Sequence, residues 1–456
     1  MLLAYIFVKL RCQILEDPMK KIVLLSILSL VSVTPVFGCN NGKKKLLIKE
    51  VSKKEFDKPI DDVKSCMDGR YLAVKFADGS SKLYDSRKNF KLVLDKKLRD
   101  VVDFEFSTDN RYLAVSRGGF FSDKKRMLQV YNLKNNGICV FDKKINEAVL
   151  PNISFSPDSR YLVATWPSYV LQLYDLKNGG KAEFDGKLRA VLCHKFIPNR
   201  KKLAICRKNG LGANELWFYN LQGKGGFKFV RKNISSFDIS ADRKYWAAKG
   251  KDKFILLDRS KNKSVLKLKE IDSFKFSPDS RYLAIYNNEH LLELRDLKNN
   301  LKHVVFGKPL KDVLIYTFSP DGRYLGVVFK GGSFGVGALQ LYDLQGKKPK
   351  GVFGEKLGNI AYFSHRSSSF KFSPDSRLLL VHFEDDSSHL YRMKPFVRKP
   401  LLKLKADDQS FSKDGRYWFV AAGKTIKKFK LPGKKNLQAK KDFHERLQFL
   451  FDDMRD

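Results

Sequence analysis

The sequence predicts an all-β protein that folds as a single closed β-propeller of about nine four-stranded blades. One short phrase recurs nine times, and its best copy is Phe155-Ser156-Pro157-Asp158-Ser159-Arg160-Tyr161-Leu162. Its arginine-type position recurs every 37 to 54 residues, close to the roughly 40 to 45 residues of a propeller blade. Short aromatic and β-branched runs between Gly, Asn, Asp and Lys are typical of strands. The nine arginine-type positions are Arg70, Arg111, Arg160, Lys201, Lys244, Arg281, Arg323, Arg377 and Arg416.

Within each unit, the phrase predicts a strand, a turn and a second strand. Proline pre-sets the backbone for the turn, and the aspartate can accept hydrogen bonds from amides two residues on. A third strand ends in a Leu-Tyr-Asp phrase such as Leu173-Tyr174-Asp175. The recurring aspartates are interpreted as turn formers, and a ring of ligand-binding aspartates is the alternative. Eight blades is the alternative count, because the fourth and fifth copies, near Phe196 and Ile239, are degenerate.

The pattern resembles the WD-repeat propellers, with Leu-Tyr-Asp-Leu standing where that family has its Trp-Asp end. The resemblance covers residues 45–431. The Ser-Pro-Asp-Gly-Arg-Tyr-Leu phrase is also similar to the propeller repeats of the bacterial Tol-system periplasmic protein. The Gly-His dipeptide of the WD-repeat family is absent, so that family's Asp-His-Ser/Thr-Trp network has no counterpart here. Either resemblance implies a binding platform.

A closed ring must also protect its last strand edge, since an unpaired edge invites association. The strand-like segment from Lys45 to Val51 precedes the first full unit. We expect it to pair with the third strand of the ninth blade, residues Thr425 to Leu431, so that both ends of the propeller share one blade.

The amino end predicts export. Met19-Lys20-Lys21 is followed by an apolar stretch, Ile22 to Val36, and a small residue before Cys39, which is the pattern of a signal segment over residues 1–38. Residues 1–18 are interpreted as a misannotated prefix, with Met19 as the true start. The stretch is shorter than the roughly 20 residues of a membrane span. Cys39 is a candidate lipidation site, with simple secretion as the alternative, so the protein is expected to be periplasmic, extracellular or lipid-anchored.

Charge indicates an anionic partner. The chain carries 88 Lys and Arg against 49 Asp and Glu, a formal net charge of +39. Such a field attracts polyanions, and an anionic envelope component fits an exported protein better than nucleic acid does. Solvated surface lysines are the alternative. Nucleic-acid binding would add aromatic residues interleaved with basic ones on one surface, whereas most aromatic residues here are predicted to be core.

Enzyme motifs are scarce, so we predict no catalytic residue, cofactor or metal. Gly331-Gly332-Ser333-Phe334-Gly335 matches a nucleophile elbow formally, but a strand-like run follows it instead of a helix. The cluster His382 to Asp386 with His389 has residue types that bind metals, and a solvated acidic loop is the favoured interpretation. A channel enzyme would need His and carboxylate groups converging from several blades.

Two cysteines of the fourth unit, Cys193 and Cys206, flank a predicted turn near Asn199 and should oppose each other on adjacent strands. Opposed positions lie close enough for a disulfide. Two small apolar residues without a bond is the favoured interpretation, and a disulfide between them is the alternative. No Cys-x-x-Cys pair suggests zinc.

Two long insertions, Gly331 to Gly337 and Gly354 to Ser369, mark the interval between the seventh and eighth units. Long loops on rigid scaffolds often carry binding residues, and tolerated length variation is the alternative. The candidate partner-binding residues are Phe334, Tyr362, Phe363, His365 and Arg366.

The carboxy tail, residues 436–456, predicts a short amphipathic helix, because apolar residues from Phe443 to Met454 follow a helical spacing. It is expected to pack on the propeller or to dock a partner. Taken together, the sequence predicts a non-catalytic exported scaffold that binds a protein, with a channel enzyme or a polyanion-binding protein as alternatives.

Overall fold

A computed structural model describes residues 48–118, 126–135, 137–145, 151–183, 187–197, 201–221, 226–251, 253–269, 271–299, 301, 305–306, 308–331, 336–346, 349–353, 357–361, 369–394 and 396–432. All of these residues belong to one compact unit. They form nine antiparallel sheets, and the alternative count of eight blades is therefore wrong.

The strands follow one another blade by blade along the chain. Strand β1 is Lys49–Glu55. Blade 1 holds β2 (Ile60–Ser65), β3 (Tyr71–Phe76), β4 (Ser80–Asp85) and β5 (Lys91–Arg99). Blade 2 holds β6 (Val101–Phe106), β7 (Tyr112–Arg117), β8 (Arg126–Asn132) and β9 (Ile138–Ile145). Blade 3 holds β10 (Asn152–Phe155), β11 (Tyr161–Trp166), β12 (Val170–Asp175), a single 3₁₀ turn (Leu176–Asn178) and β13 (Lys181–Ala182).

Blade 4 holds β14 (Val191–Ile197), β15 (Lys202–Lys208), β16 (Asn214–Asn220) and β17 (Phe227–Lys232). Blade 5 holds β18 (Ser236–Ile239), β19 (Tyr245–Lys249), β20 (Phe254–Asp258) and β21 (Lys263–Leu268). Blade 6 holds β22 (Ser273–Phe276), β23 (Tyr282–Tyr286) and β24 (Leu292–Asp296). Blade 7 holds β25 (Val313–Phe318), β26 (Tyr324–Lys330), β27 (Val336–Asp343), β28 (Lys350–Gly351) and β29 (Leu357–Ala361).

Blade 8 holds β30 (Phe370–Phe372), β31 (Leu378–His382), β32 (Ser387–Met393) and β33 (Phe396–Lys405), and blade 9 holds β34 (Asp408–Phe411), β35 (Tyr417–Ala422) and β36 (Thr425–Lys430).

The first strand of each blade lies innermost, because first strands of neighbouring blades contact one another, as β2 does with β34 and β6 with β10. The fourth strand is therefore at the rim, and the first strands surround a central channel.

The hydrophobic core is divided among the interfaces between blades. Each of the nine pairs of neighbouring blades has its own cluster of buried apolar side chains. The cluster between blades 9 and 1 includes Phe419 and Ile426 with Leu72 and Val74. Because this last interface is as apolar as the others, the ring closes by the same packing that joins every blade.

Strand β1 completes blade 9, as the sequence predicted. It pairs antiparallel with β36, with Lys53 opposite Lys427 and Glu55 opposite Thr425. The predicted segment, Lys45 to Val51, overlaps β1 at its last three residues, and residues 45–47 lie outside the described part of the chain. The rim strand of blade 9 is thus supplied by the opposite end of the propeller.

Two blades depart from four plain strands. In blade 7 the rim strand consists of two pieces, since β28 pairs with one end of β27 and β29 pairs with the other. Strand β29 lies within the interval Gly354 to Ser369, which the sequence predicted to be an extended connection, so that prediction is wrong for residues 357–361. Ile360 is fully buried and anchors this piece. The sheet of blade 6 contains three strands among the described residues.

The predicted signal segment, residues 1–38, and the predicted helix, residues 436–456, lie outside the described residues. Within the described residues, no helix has the length and apolar character that crossing a membrane requires.

Candidate functional site

The repeated turn is built from its own side chains. In blade 3, Ser156 Oγ donates to Asp158 Oδ1 at 2.5 Å and accepts from the Tyr161 amide at 2.9 Å. The Arg160 amide donates to the same Asp158 oxygen at 3.2 Å. The same Ser–Asp bond occurs in the turns of Asp109, Asp242, Asp279, Asp321, Asp375 and Asp414. These contacts favour the turn-forming interpretation over a ring of ligand-binding aspartates.

The arginine of the phrase reaches the aspartate that ends the third strand. Arg160 Nη2 lies 2.7 Å from Asp175 Oδ2, and its guanidinium lies 4.9 Å from the centre of the Tyr161 ring. Burial would raise the pKa of Asp175, but hydrogen bonds from Arg160 and from backbone amides outweigh burial and lower it. Arg323 and Asp343 repeat the ion pair at 2.7 Å. This Arg–Asp–Tyr arrangement explains why the repeat needs an arginine and a Leu-Tyr-Asp phrase.

The tyrosine of the phrase joins one blade to the next. Tyr161 Oη donates to the Leu221 carbonyl at 2.6 Å, and Tyr282 Oη donates to the Leu344 carbonyl at 2.7 Å. In both pairs the acceptor lies just after the third strand of the following blade. The phrase thus stabilises three levels of structure: its aspartate holds the turn, its arginine bonds within the blade, and its tyrosine bonds to the next blade.

The turns of neighbouring blades are also bonded to one another. The turn residue after the aspartate has positive φ, 58° at Ser376 and 73° at Gly322. Ser376 Oγ accepts from the Asp321 amide of the preceding blade at 2.9 Å. At Gly322 a Cβ would lie 2.4 Å from Asp279 Cγ, so a serine does not fit there. At Gly322 the close approach of the preceding turn therefore requires glycine, whereas serine at position 376 bonds the preceding turn.

The channel is lined by charged and polar side chains that lie in each first strand one residue before the phenylalanine-type position of the repeated phrase. We call these residues the inner ring. They alternate along each strand with residues buried between blades. The inner ring consists of Lys64, Glu105, Ser154, Lys195, Asp238, Lys275, Thr317, Lys371 and Ser410.

Ion pairs link the inner ring across blades. Lys64 Nζ lies 2.8 Å from Glu105 Oε2 and 3.5 Å from Asp103 Oδ1. Burial would lower the pKa of Lys64, but the two carboxylates outweigh burial and raise it. Lys195 and Asp238 form a second pair between blades 4 and 5. Each of these pairs is neutral, and the whole inner ring, with four lysines against two acidic residues, carries a formal charge of +2.

A carboxyl pair lies where the ring closes. Asp408, the first residue of β34, is hydrogen-bonded to Asp62 of β2. Burial and Asp62 together raise the pKa of Asp408 to about 8. Lys371 of blade 8 is near Asp408, and burial among the inner strands lowers the pKa of Lys371 although its side chain keeps accessible surface in the channel. Asp408 is therefore a channel carboxyl whose protonation changes near neutral pH.

His382 does not complete a catalytic arrangement with this pair. Its Nδ1 is hydrogen-bonded to Ser388 Oγ at 2.8 Å, and burial together with the charge of Lys371 lowers its pKa to about 4. No group of three or more His, Cys, Asp or Glu side chains suited to a metal ion occurs within the described ranges. A channel enzyme would need several His and carboxylate groups converging from different blades. Among the described residues the channel has carboxylates from several blades, but His382 is bonded to Ser388 instead of joining them.

The candidate partner residues Phe334, Tyr362, Phe363, His365 and Arg366, and the candidate lipidation site Cys39, all lie outside the described residues. The acidic segment beside His382 is described, and it is an exposed hairpin loop in which Asp385 accepts from the Ser387 amide at 2.9 Å. This agrees with a solvated loop.

Cys193 and Cys206 lie directly opposite each other on β14 and β15, as predicted. Both are free thiols in the structure. The hydrogen bond to Cys193 and burial raise the pKa of the Cys206 thiol. The disulfide between them stays a prediction.

Sequence reasoning missed the carboxyl pair because each member is an ordinary acidic residue in its own repeat. Asp62, Asp103 and Asp408 all stand three residues before the end of a first strand. Comparing the nine copies position by position, instead of searching for motifs, would have placed these three acids in one layer of the channel.

The fold defines an all-β propeller of nine blades. No family model and no curated protein matches the chain. A structure described as the eukaryotic initiation factor is similar at 17% identity over 78% of this chain and 90% of that chain, with a TM-score of 0.54. The C-terminal WD40 domain of Sif2 is similar at 14% identity over 86% of this chain and 100% of that one, with a TM-score of 0.46. Kluyveromyces lactis Hsv2 is similar at 14% identity over 63% of this chain and 94% of that one, with a TM-score of 0.40.

Proposed function

We propose that this protein is a non-catalytic scaffold that binds a protein partner through the surface of its propeller. One observation carries the proposal: the polar side chains that recur from blade to blade are engaged in turns, ion pairs and blade interfaces. Residues such as Asp158, Arg160 and Tyr161 all bond within the ring. Because the repeated polar groups hold the scaffold rigid, the loops and rim strands are the surfaces that remain for binding partners.

We further propose that the scaffold is exported to the bacterial envelope. The basic start at Met19, the apolar stretch Ile22 to Val36 and Cys39 support this step, with lipidation at Cys39 or release as the two forms of the mature protein. The net charge of +39 supports an additional contact with an anionic envelope component. The inner ring, with four lysines against two acidic residues, accounts for only a small part of that charge.

The export step is tested by expressing the chain from Met19 in a bacterial host and measuring intact mass and membrane fractionation. A mature chain that begins at Cys39 with added lipid mass in the membrane fraction supports anchoring. A chain cleaved without added lipid supports secretion. An uncleaved soluble chain contradicts export and restores nucleic acid as a candidate partner.

The scaffold function is tested by cross-linking in the host, identification of the bound protein, and titration of the purified pair. Reproducible saturable binding that survives Asp408→Asn supports a scaffold whose channel is not the binding site. Absence of any partner that rebinds in purified form contradicts the proposal.

A second function, catalysis in the channel, is favoured by the carboxyl pair of Asp62 and Asp408 beside Lys371. A protonated carboxyl near neutral pH can act as a general acid. If a turnover activity is found, Asp408→Asn should abolish it while leaving partner binding unchanged. An activity that is unaffected by this substitution does not use the channel pair.

A further inference from the structure

The rim strand of blade 4, β17, is the feature from which we draw a further inference. Its six residues read Phe-Lys-Phe-Val-Arg-Lys, and all except Val230 are exposed. Phe227 and Phe229 are each 42% exposed, and phenylalanines this exposed occur nowhere else in the described ranges. Rim strands normally carry charged residues that prevent edge pairing, so two exposed phenylalanines on such a strand require an explanation.

The two phenylalanines continue rows of side chains that begin in the core. Leu203, Tyr219 and Phe227 stand opposite one another on β15, β16 and β17, and Leu203 is fully buried. Ile205 heads the neighbouring row, which ends at Phe229. The inner part of this face packs against blade 3.

The neighbouring rim strand, that of blade 3, is short. That strand, β13, contains only Lys181 and Ala182. Trp217 is the middle member of the row from Ile205 to Phe229, and its ring centre lies 5.4 Å from that of Phe229 in an edge-to-face arrangement. The exposed rings therefore pack on the aromatic side chains of β16 and form a preorganised surface.

Cations stand on the same strand. Lys228 and Arg231 pair with Phe218 and Leu216, which belong to the opposite face of the blade, and Lys232 follows on the aromatic side. None of the three forms an ion pair with any residue that the structure describes. No acidic residue occurs on β17. Lys232 stands opposite Glu215 of β16, so the strand offers a ligand its two aromatic rings and the charges of Lys228 and Arg231, which form no ion pair with a described residue.

The outer edge of β17 is also open. In its sheet the order is β14, β15, β16, β17, so β17 has one bonded neighbour among the described strands. Its outward amide and carbonyl groups form the kind of edge to which an extended peptide adds as a further strand. Backbone bonds then supply affinity, and alternate side chains supply specificity.

We propose that β17 binds an extended, acidic segment of a partner protein as a fifth strand of blade 4. The segment alternates apolar and acidic residues: apolar side chains lie beside Phe227 and Phe229, and carboxylates lie beside Lys228 and Arg231. This inference rests on the proposed scaffold function and specifies where and what it binds.

A polypeptide fits this surface better than single-stranded nucleic acid. Both ligands use aromatic rings and positive charge, but only a polypeptide uses an open strand edge. The charges also project on both faces of β17, as Lys228 and Lys232 show, which matches the alternating side chains of a strand.

The test uses the full chain and a fluorescent eight-residue peptide that alternates glutamate and isoleucine, titrated by anisotropy. The same peptide with N-methyl groups on alternate amides lacks edge hydrogen bonds, and a lysine–isoleucine peptide reverses the charge. Thymidine oligonucleotide tests the nucleic-acid ligand. The protein variants are Lys228→Glu and Phe229→Ser, and the matched control is Lys267→Glu, an exposed lysine on the rim strand β21 of blade 5.

We expect the glutamate–isoleucine peptide to bind the wild-type protein and the control, and to bind Lys228→Glu at least about tenfold more weakly because like charges then face each other. Phe229→Ser should weaken binding similarly, and N-methylation should abolish it. Unchanged melting temperatures of the exposed-site variants establish that they are folded.

Several results overturn the inference. Equal binding by the wild-type protein and Lys228→Glu, or by the N-methylated peptide, excludes strand addition at β17. Tighter binding of the oligonucleotide than of the peptide assigns the surface to nucleic acid. A dimer in sedimentation that Lys228→Glu disperses assigns it to a second copy of the chain. If a captured partner binds wild-type protein and Lys228→Glu equally, the scaffold function stands and the site at β17 is wrong; if no partner binds at all, both fail.

Discussion

Asp408 Oδ2 accepts a hydrogen bond from the amide of Val63 at 2.7 Å, although 345 residues separate the two in sequence. The bond joins the first strands of blades 9 and 1, where the ring closes. Beside it, the Ser65 amide donates to Ser410 Oγ at 3.1 Å, and Ser65 Oγ donates to the Phe411 carbonyl at 3.0 Å. The closing interface is thus held by polar side chains of the innermost strands as well as by its apolar cluster and by β1.

The raised pKa of Asp408 makes the stability of this interface depend on pH. The folded protein holds the Asp408 proton up to about pH 8, whereas the unfolded chain releases it near pH 4. The contribution of this bound proton to the free energy of unfolding is therefore fully present below pH 4 and is lost as the pH rises through about 8. Asp408→Asn keeps the acceptor for Val63 and removes the charge. We expect the variant to be more stable than wild type by about 1 to 3 kcal/mol above pH 8.

The measurement is the urea midpoint of wild type and Asp408→Asn between pH 5 and 9, with exposed Asp386→Asn as the control. The control should follow wild type. Parallel curves for Asp408→Asn and wild type would contradict a buried titrating carboxyl at the closing interface.

The tyrosine bond between blades predicts a specific loss of stability. Tyr282→Phe removes the hydroxyl that donates to the Leu344 carbonyl at 2.7 Å and leaves the ring in place. We expect a loss of about 1 kcal/mol in the free energy of unfolding, the usual value of such a bond. Tyr417→Phe is the matched control, since no hydrogen bond of the Tyr417 hydroxyl occurs within the described residues. Equal denaturant midpoints for the two variants would show that the inter-blade bond adds no stability.

The pairing of β1 with β36 can be fixed covalently. Lys53 and Lys427 are opposed, so the double variant K53C/K427C should form a disulfide on oxidation and lower the mass by two hydrogens. Closing the ring in this way should stabilise the protein by about 2 to 4 kcal/mol, reversibly with reductant. The out-of-register pair K53C/K430C should form no such bond. Cross-linking of both pairs to the same extent would mean that β1 is not held in this register.

The opposed cysteines give a fourth prediction. Oxidation of the wild-type protein should join Cys193 and Cys206 and raise stability by about 2 kcal/mol. Before oxidation, Cys206 should react slowly with thiol reagents at neutral pH, because the thiol is fully buried and its pKa is raised. Cys206→Ser is the control that cannot form the bond. Rapid labelling of Cys206 in the folded protein would contradict the described environment.

The fold could be predicted from the repeated phrase because the residues of the phrase act locally and recur in every blade. Proline, aspartate and the Gly or Ser after it form the turn, and periodicity then gives nine blades, including the degenerate copy at Ile239, which forms blade 5. Strand β1 was predictable because an unpaired edge in a closed ring needs a partner. Each of these inferences depends on a rule that applies within one repeat or to the ring as a whole.

Features that depend on contacts between particular blades were not predictable. Strand β29 lies within a long insertion, so the sequence predicted a loop there. The strand forms because this part of the insertion pairs with β27, and Ile360 is buried as a result. Asp62 and Asp408 meet because the first and last blades are adjacent. Phe227 and Phe229 resemble core residues in sequence, and they are exposed because they lie on the rim strand of blade 4, at the outer ends of rows that begin at the buried Leu203 and Ile205.

The origin of the ninth rim strand from the amino end also determines when the ring can close during synthesis. Strand β1 is among the first parts of the propeller to leave the ribosome, while its partner β36 ends at Lys430. Blades can form in order as they emerge, but the first and last remain without each other until almost the whole chain is available. A nascent chain is therefore an open arc, and only the finished polypeptide can become a ring.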